Sequence, residues 1–285
     1  METQDITRIR TILENALEED IGDGDVTTWC TVASDARLRG QFIAKEPGVV
    51  AGLEVVAQTF ALLDERVQLV PQVADGNEVV TQQIIATVSG PGRAILSGER
   101  VALNFLQRMS GIATMTRKFV ETVDGTSATI LDTRKTVPGL RLLDKWAVRL
   151  GGGQNHRFGL FDMAMIKENH ITAAGSITEA VRQVRAGDNQ HRTIEVEVKN
   201  LTELQEVLDL DVDRILLDNM PPEDMREAVH LTTGRVPLEA SGNISLSNVA
   251  GVAATGVDYI SVGSLTHSVK ALDISLLLED GGNNI

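Results

Sequence analysis

Cysteine is nearly missing from this chain: among 285 residues, Cys30 stands alone. A single thiol closes no intrachain disulfide and builds no thiolate cluster, which fits a reducing compartment. Aromatic residues make up only 3%, too few for the stacking platforms that grip single-stranded nucleic acid. Positive charge is also short. Asp and Glu number 40 against 26 Lys and Arg, a formal balance of -14, so nucleic acid is repelled unless a strong local patch overrides the whole. No uninterrupted apolar run is long enough for a bilayer, and the chain opens with Asp, Glu and Arg before any apolar stretch, unlike a secretory leader. The expected location is the cytosol. Neither a Walker A motif nor a GxGxxG turn after a strand occurs, which argues against a nucleotidase or a dinucleotide dehydrogenase.

What is present is ordinary for a globular protein: 42% apolar and 23% charged residues, with length for one large α/β domain or for a barrel and a smaller companion. Ile6, Ile9, Leu13, Ala16 and Leu17 recur at helical spacing, so 6–19 reads as an amphipathic helix ended by "DIGDGD". Short apolar runs broken by Gly, Pro and Asn, in "RGQFIAKEPGVVAG" and "VQLVPQVADGNEVVTQQIIATVSGP", suit a small mixed sheet with "EVVAQTFALLDE" as a helix between them. A long helical pattern from Arg93 to Val123, with Ser110-Gly111 as a candidate kink, joins two domains.

After Gly125 a unit repeats: a short apolar strand with a polar end, then a helix. The strand ends are "ATILDTRKT", "MAMIKENH", "TIEVEVKN", "RILLDNM", "PLEASGN" and "YISVGS". Helices lie between them, opened by a capping box at Ser176 and Glu179 and continuing through Leu201 to Leu208, Pro222 to His230 and Leu246 to Ala254. Glu197, Asp218, Ala240 and Gly263 fall roughly 22 residues apart, about one strand, one helix and their loops. Buried apolar strands alternating with helices predict a parallel sheet. An open doubly wound sheet also fits, but polar residues at six successive strand ends favour a barrel, whose rim collects side chains from many strands. Roughly 145 residues is short for eight units. The expected fold is therefore α/β: an incomplete parallel barrel of six or seven strands with a smaller N-terminal α+β sandwich domain. Expected boundaries are 1–112 for that domain, 113–267 for the barrel, and 268–285 for a C-terminal helix packing back on the N-terminal domain.

The charge balance inverts locally. The segment 134–157 carries Arg134, Lys135, Arg141, Lys145, Arg149 and Arg157, with His156, against one acid, Asp144; the overall composition would put about two bases and three acids there. If the strand ends share one face, that face holds Arg134, Lys135 and Lys167 as cations, Glu197 and Asp218 as anions, and small turns at Ser241-Gly242-Asn243 and Gly263-Ser264. Two like charges at ~4 Å repel by about 4 kcal/mol at an effective dielectric near 20, so such a cluster calls for anions. Glu197 and Asp218 can supply them, or hold a hydrated Mg²⁺ that completes its octahedron with water and phosphate oxygens. The small turns offer backbone N–H groups to a phosphate. The parts describe a site for a phosphate-bearing, Mg²⁺-assisted substrate, with a second anion on the "NHR" side.

Each piece has a plainer reading. The stripe Arg141, Lys145, Arg149 opposite Leu142, Trp146 and Leu150 is best read as a solvated helix face. His156 is a structural histidine or a site residue, the glycines of "GGGQNHR" allowing close approach. Lys167 is a barrel-interior lysine paired with Glu197, or a Schiff-base nucleophile as in barrel aldolases. Glu195 and Glu197 share a strand face, so one is a structural partner. Asp23 and Asp25 read as a turn in preference to a metal loop, since the EF-hand pattern is incomplete.

"GERVALNFLQRMSGIAT", "LDTRKTVPGLR", "GGGQNHRFGLFDMAMIKENHI", "IEVEV", "ILLDN", "EASGN" and "GVDYISVGSLTHS", in this order, resemble the quinolinate phosphoribosyltransferases over nearly the whole chain. Bulky Phe158 and Phe161 beside "NHR" are mild departures. The resemblance implies transfer of phosphoribose from phosphoribosyl pyrophosphate to the ring nitrogen of quinolinate, with loss of CO₂, giving nicotinate mononucleotide and pyrophosphate for NAD synthesis. It further implies that Arg100, Arg134, His156 and Arg157 hold the quinolinate carboxylates with Thr133 and Lys135 alongside. Lys135 and Lys167 would reach phosphates, Glu197 and Asp218 the Mg²⁺ (through water) and ribose hydroxyls, and the turns Ser241-Gly242-Asn243 and Val262-Gly263-Ser264 the 5′-phosphate. Lys135, Lys167, Glu197 and Asp218 are the implied catalytic residues. A homodimer or higher oligomer with shared sites is implied, Arg100 coming from the neighbouring subunit. The rivals are a same-fold phosphoribosyltransferase for another pyridine-like acceptor, the Lys167 aldolase, and a phosphometabolite sensor without turnover.

Overall fold

A computed structural model describes residues 3–279. Two compact units divide the chain: residues 1–117, 137–152 and 269–285 form the first, and 118–136 with 153–268 the second. The N-terminal elements are α1 (Thr3–Ile21), α2 (Val26–Thr31), β1 (Arg37–Ala44), β2 (Gly48–Val49), α3 (Leu53–Leu63), β3 (Gln68–Pro71), β4 (Glu78–Val79), β5 (Ile84–Pro91) and α4 (Gly92–Thr122). Then come β6 (Thr129–Leu131), α5 (Arg141–Leu150), β7 (Ala164–Ile166), α6 (Glu168–Ala174), α7 (Ile177–Gly187), β8 (Ile194–Val198) and α8 (Leu201–Leu208). The chain ends with β9 (Arg214–Asp218), α9 (Pro222–Thr232), β10 (Leu238–Ser241), α10 (Val249–Ala253), β11 (Tyr259–Ser261), α11 (Ser264–His267) and β12 (Ile274–Leu278). Among the described residues, no helix is long and apolar enough to cross a membrane.

In the first unit, Ile9, Leu13 and Leu17 turn one stripe of α1 inward, the amphipathic face the sequence spacing requires. The sheet is antiparallel in the order β12-β1-β5-β3, with β2 and β4 as a separate pair. Along β1, Gly40, Phe42 and Ala44 are buried while their neighbours are more open, the period-two pattern of a half-buried strand. Phe42, Phe60, Ile85, Val88 and Leu106 belong to the core beneath. The carboxylate of Asp25 caps α2, accepting from Thr28 N–H at 2.9 Å and from the Ser97 hydroxyl at 2.9 Å, so this acidic turn is a helix start.

Two expectations change here, for the C-terminal segment and for α5. The C-terminal helix is a strand: β12 pairs antiparallel with β1, burying Ile274 and Leu276 on alternate positions. A short apolar run does not distinguish helix from strand by periodicity alone, and pairing decides it. The remaining residues, 280–285, lie outside the described residues. Helix α4 includes Ser110-Gly111 within its span, and the glycine permits a close approach, since a Cβ on Gly111 would sit 2.2 Å from the Lys270 carbonyl oxygen. On α5 the basic stripe is no solvated face, because Lys145 is buried and only Arg149 of the three is exposed. Its neighbour Asp144, fully buried, accepts both prongs of Arg108 at 2.9 and 2.8 Å, which draws a charged side of this helix inward.

The second unit is the barrel. Six strands, all parallel, follow the spatial order β6-β11-β10-β9-β8-β7. The first strand in sequence thus pairs with the last, as a sheet closing on itself demands. Closure is incomplete between β6 and β7, where Leu131 makes a lone parallel bridge to Gln154. The strands are short and mostly buried, with Ile194, Val196 and Val198, or Ile215 and Leu217, facing the helical layer. The intervening residues point inward and supply the site.

Candidate active site

The C-terminal ends of the six barrel strands surround a cavity of about 720 Å³. Of the fifteen sequence-derived site residues, thirteen line it: Thr133, Arg134, Lys135, His156, Arg157, Lys167, Glu197, Asp218, Ser241, Gly242, Asn243, Gly263 and Ser264. Two do not. Arg100 is an exposed residue of α4 in the first unit. Val262 has its side chain fully buried in the core and its N–H donated to the Leu131 carbonyl at 2.9 Å; a residue extending the strand ladder has no amide left for a phosphate.

Asp132, at the end of β6, organises the cationic side. It is fully buried, and accepts from Asn155 Nδ2 at 2.6 Å and from His156 N–H at 2.9 Å. Together with the Leu131–Gln154 bridge, this fastens the segment carrying His156 and Arg157 alongside β6. Thr133 Oγ1 accepts from Lys135 N–H at 3.0 Å, and Thr266 Oγ1 donates to the Lys135 carbonyl at 2.9 Å, shaping the loop that holds Arg134 and Lys135. Burial, then the charge of Arg134, pulls the Arg157 guanidinium below its usual pKa, with Glu195 and Asp162 opposing. Two guanidiniums that repel each other beside a cavity make a receptor for carboxylate or phosphate.

On the opposite side, Lys167 Nζ donates to Glu197 Oε2 at 2.5 Å, the pairing anticipated from sequence. Asp218 accepts from Asn219 Nδ2 at 3.0 Å, and Asn219 in turn accepts from Asn243 Nδ2 at 3.0 Å. Asn219 and Asn243 both hold φ of +52°, and Gly242 holds +102°, a region where glycine and asparagine are tolerated. A Cβ on Gly242 would lie 2.2 Å from Asn219 Oδ1, so the turns after β9 and β10 interlock. Glu197 and Asp218 end adjacent strands and offer hard oxygen donors open to the cavity, a set that fits a hydrated Mg²⁺ held by one or two carboxylates.

Below this rim lies a second polar layer. His156 Nε2 sits 3.0 Å from Glu195 Oε2 and 3.3 Å from Glu239 Oε2, both carboxylates being fully buried. Burial alone would lower the imidazole; Glu195 and then Glu239 outweigh it and raise its pKa to about 9. Nδ1 accepts from the Arg157 N–H at 2.7 Å, so that amide must yield when a second ring proton arrives. Burial, together with the charge of Glu239, pushes Glu195 up, His156 opposing. Burial acts on Glu239 in the same sense, but His156, Ser261 and Arg214 hold it down.

The cavity also includes Met165, Leu216, Asn219, Glu239, Ile244, Ser261 and His267, none of which the sequence reading assigned to it. A signal existed for four: Met165, Leu216, Glu239 and Ser261 lie two residues before Lys167, Asp218, Ser241 and Gly263, on the same strand face or its continuation.

Comparison with known proteins agrees with this geometry. Residues 25–110 match the family model of the quinolinate phosphoribosyl transferase N-terminal domain, and residues 112–277 that of its C-terminal domain. The chain is 46% identical over 269 residues to a Bacillus subtilis (strain 168) protein named probable nicotinate-nucleotide pyrophosphorylase (carboxylating), covering 94% of this chain and 93% of that one. It is 46% identical over 290 residues to quinolinate phosphoribosyltransferase (decarboxylating) 1 of Nicotiana glauca, covering 95% and 82%. The crystal structure of NadC from Streptococcus pyogenes superposes with a TM-score of 0.93 at 42% identity, covering 96% of this chain and 97% of that one.

Proposed function

Because the chain belongs to the quinolinate phosphoribosyltransferase family, and is thereby a pentosyltransferase joining phosphoribosyl pyrophosphate to quinolinate with loss of CO₂, we propose that the rim cavity of the barrel is where the two substrates meet. The observation that carries this is the bipolar lining: Arg134, Arg157 and His156 on one side, Lys167, Glu197, Asp218 and the small turns on the other.

Arg134 and Arg157 clamp the quinolinate carboxylates, with Thr133 and His156 beside them, because a planar guanidinium fork matches a carboxylate bidentately. The clamp orients the ring nitrogen toward the ribose. Lys135 and Lys167 face the departing pyrophosphate, and the turns at Ser241-Gly242-Asn243 and Gly263-Ser264 take the 5′-phosphate. Cleavage at the anomeric carbon develops positive charge on the sugar, which the carboxylates of Glu197 and Asp218 face. Mg²⁺, held through water by Glu197 and Asp218, would neutralise charge on the pyrophosphate when bound. Once the ring nitrogen is alkylated, its positive charge stabilises the electron pair left on the adjacent carbon as CO₂ departs, and a proton completes that carbon. The assembly we propose is a homodimer in which Arg100 reaches the neighbouring subunit's site, and the location is the cytosol.

The test is turnover. Purified protein given quinolinate, phosphoribosyl pyrophosphate and Mg²⁺ should release CO₂, pyrophosphate and nicotinate mononucleotide in equal amounts, and nicotinate should not replace quinolinate. Borohydride labelling of Lys167 in the presence of a carbonyl substrate, without pyrophosphate release, would point instead to Schiff-base chemistry.

A further inference from the structure

The inner layer of this barrel is unusual for the fold. Barrel interiors are filled mainly by Val, Ile and Leu, yet here Glu195, Arg214, Glu239 and Ser261 project inward from four adjacent strands, β8 to β11. Glu195 and Glu239 are fully buried. The guanidinium of Arg214, at the start of β9, lies 4.1 Å over the Tyr259 ring, and its Nη1 donates to Glu239 Oε2 at 3.0 Å. The same oxygen is 3.3 Å from His156 Nε2. A continuous charge chain therefore runs from Tyr259 through Arg214 and Glu239 to His156, which lines the cavity.

Buried ion pairs of this kind contribute little net stability, since desolvation offsets attraction, and well-packed apolar residues would serve a structural plug as well or better. What they provide is a defined direction: an imidazole held by fixed charges behind it has one orientation toward the cavity. We infer that Glu239 and Arg214 are positioning residues for quinolinate, contributing to the recognition of this substrate through His156. The inference rests on the reading of the site given above, in which His156 stands beside a quinolinate carboxylate. A divalent ion on His156, Glu195 and Glu239, whose donor atoms all lie within 4.8 Å of one another, is the rival occupant. Arg214 already brings a permanent positive group to Glu239 Oε2, which disfavours an added cation there.

The experiment is a double-mutant cycle on steady-state kinetics, with both substrates varied. His156→Ala alone reports on the site reading: an unchanged KM for quinolinate removes His156 from the site, and with it the premise. Glu239→Gln should raise the KM for quinolinate about tenfold while moving the KM for phosphoribosyl pyrophosphate less than about twofold. Added to His156→Ala, it should change the KM for quinolinate by less than about twofold, because the path it acts through is gone. Should Glu239→Gln not fold, Arg214→Lys keeps the charge but loses the fork, and should give the same selective rise at about threefold. Additive effects in the cycle, a parallel rise in both KM values, or stoichiometric zinc in the purified wild-type enzyme would each overturn the inference.

Discussion

Arg157 is held below its usual pKa by burial and by the neighbouring charge of Arg134, so a carboxylate arriving between them relieves a repulsion already present. Removing this guanidinium should therefore act on binding more than on chemistry. Arg157→Ala is expected to weaken quinolinate binding by about 2–3 kcal/mol, or roughly fiftyfold in Kd, as measured by calorimetry; unchanged affinity would take Arg157 out of the clamp. His156 carries a different signature. Its folded pKa of about 9 lies above the ordinary 6.5, so the stability it contributes is fully present below about pH 6.5 and disappears as pH rises through about 9. The shift corresponds to about 3 kcal/mol at most, shared with a coupled carboxylate pair. Urea unfolding across that window should show the wild type losing stability that His156→Ala does not lose.

At the level of strands and helices, the barrel was legible because its polar strand ends break an otherwise apolar period, and each of the six quoted ends begins at, or one residue before, the start of one of β6 to β11. Helix α8 spans the anticipated Leu201–Leu208, and the Ser176 hydroxyl accepts from Glu179 N–H at 3.1 Å, as half of the expected capping box. Elements whose state depends on distant pairing were not legible. β12 takes its form from β1, more than two hundred residues away in sequence, and the inward face of α5 depends on Arg108 of α4. His267 gave no sign either, because it reaches the cavity from α11, off the strand period. Two glycines carry predictions for their elements. Gly111→Ala puts a methyl 2.2 Å from a backbone carbonyl, and should cost about 2–3 kcal/mol and several degrees of Tm. Gly242→Ala combines a φ of +102° with a 2.2 Å clash against Asn219; it should raise the KM for phosphoribosyl pyrophosphate more than that for quinolinate, read from steady-state kinetics.

For the molecule as a whole, the net charge is -14, and the bases Arg134, Lys135, Arg157 and Lys167 are gathered at the cavity, so the attraction proposed for anionic substrates is local and short-ranged. Raising salt from about 0.05 to 0.5 M should therefore increase both KM values, with kcat little changed. The proposed shared site makes a sharper demand. Arg100→Ala and Arg157→Ala chains, each nearly inactive, should regain about one quarter of wild-type activity once subunits exchange at random, since half the dimers then carry one intact site; no recovery despite demonstrated exchange would sink the shared arrangement. The order in which the chain is made adds a last consequence. The first unit is written in three pieces, its sheet having β1 between β5 and β12. During synthesis β1 meets β5 early, but its other edge stays open until residues 274–278 leave the ribosome, by which time the whole barrel has already emerged. The barrel can fold as the chain grows, whereas the sheet is sealed only after β12 has followed the barrel out. A chain cut before residue 274 would keep the barrel but leave β1 with an open edge, prone to pair with another copy.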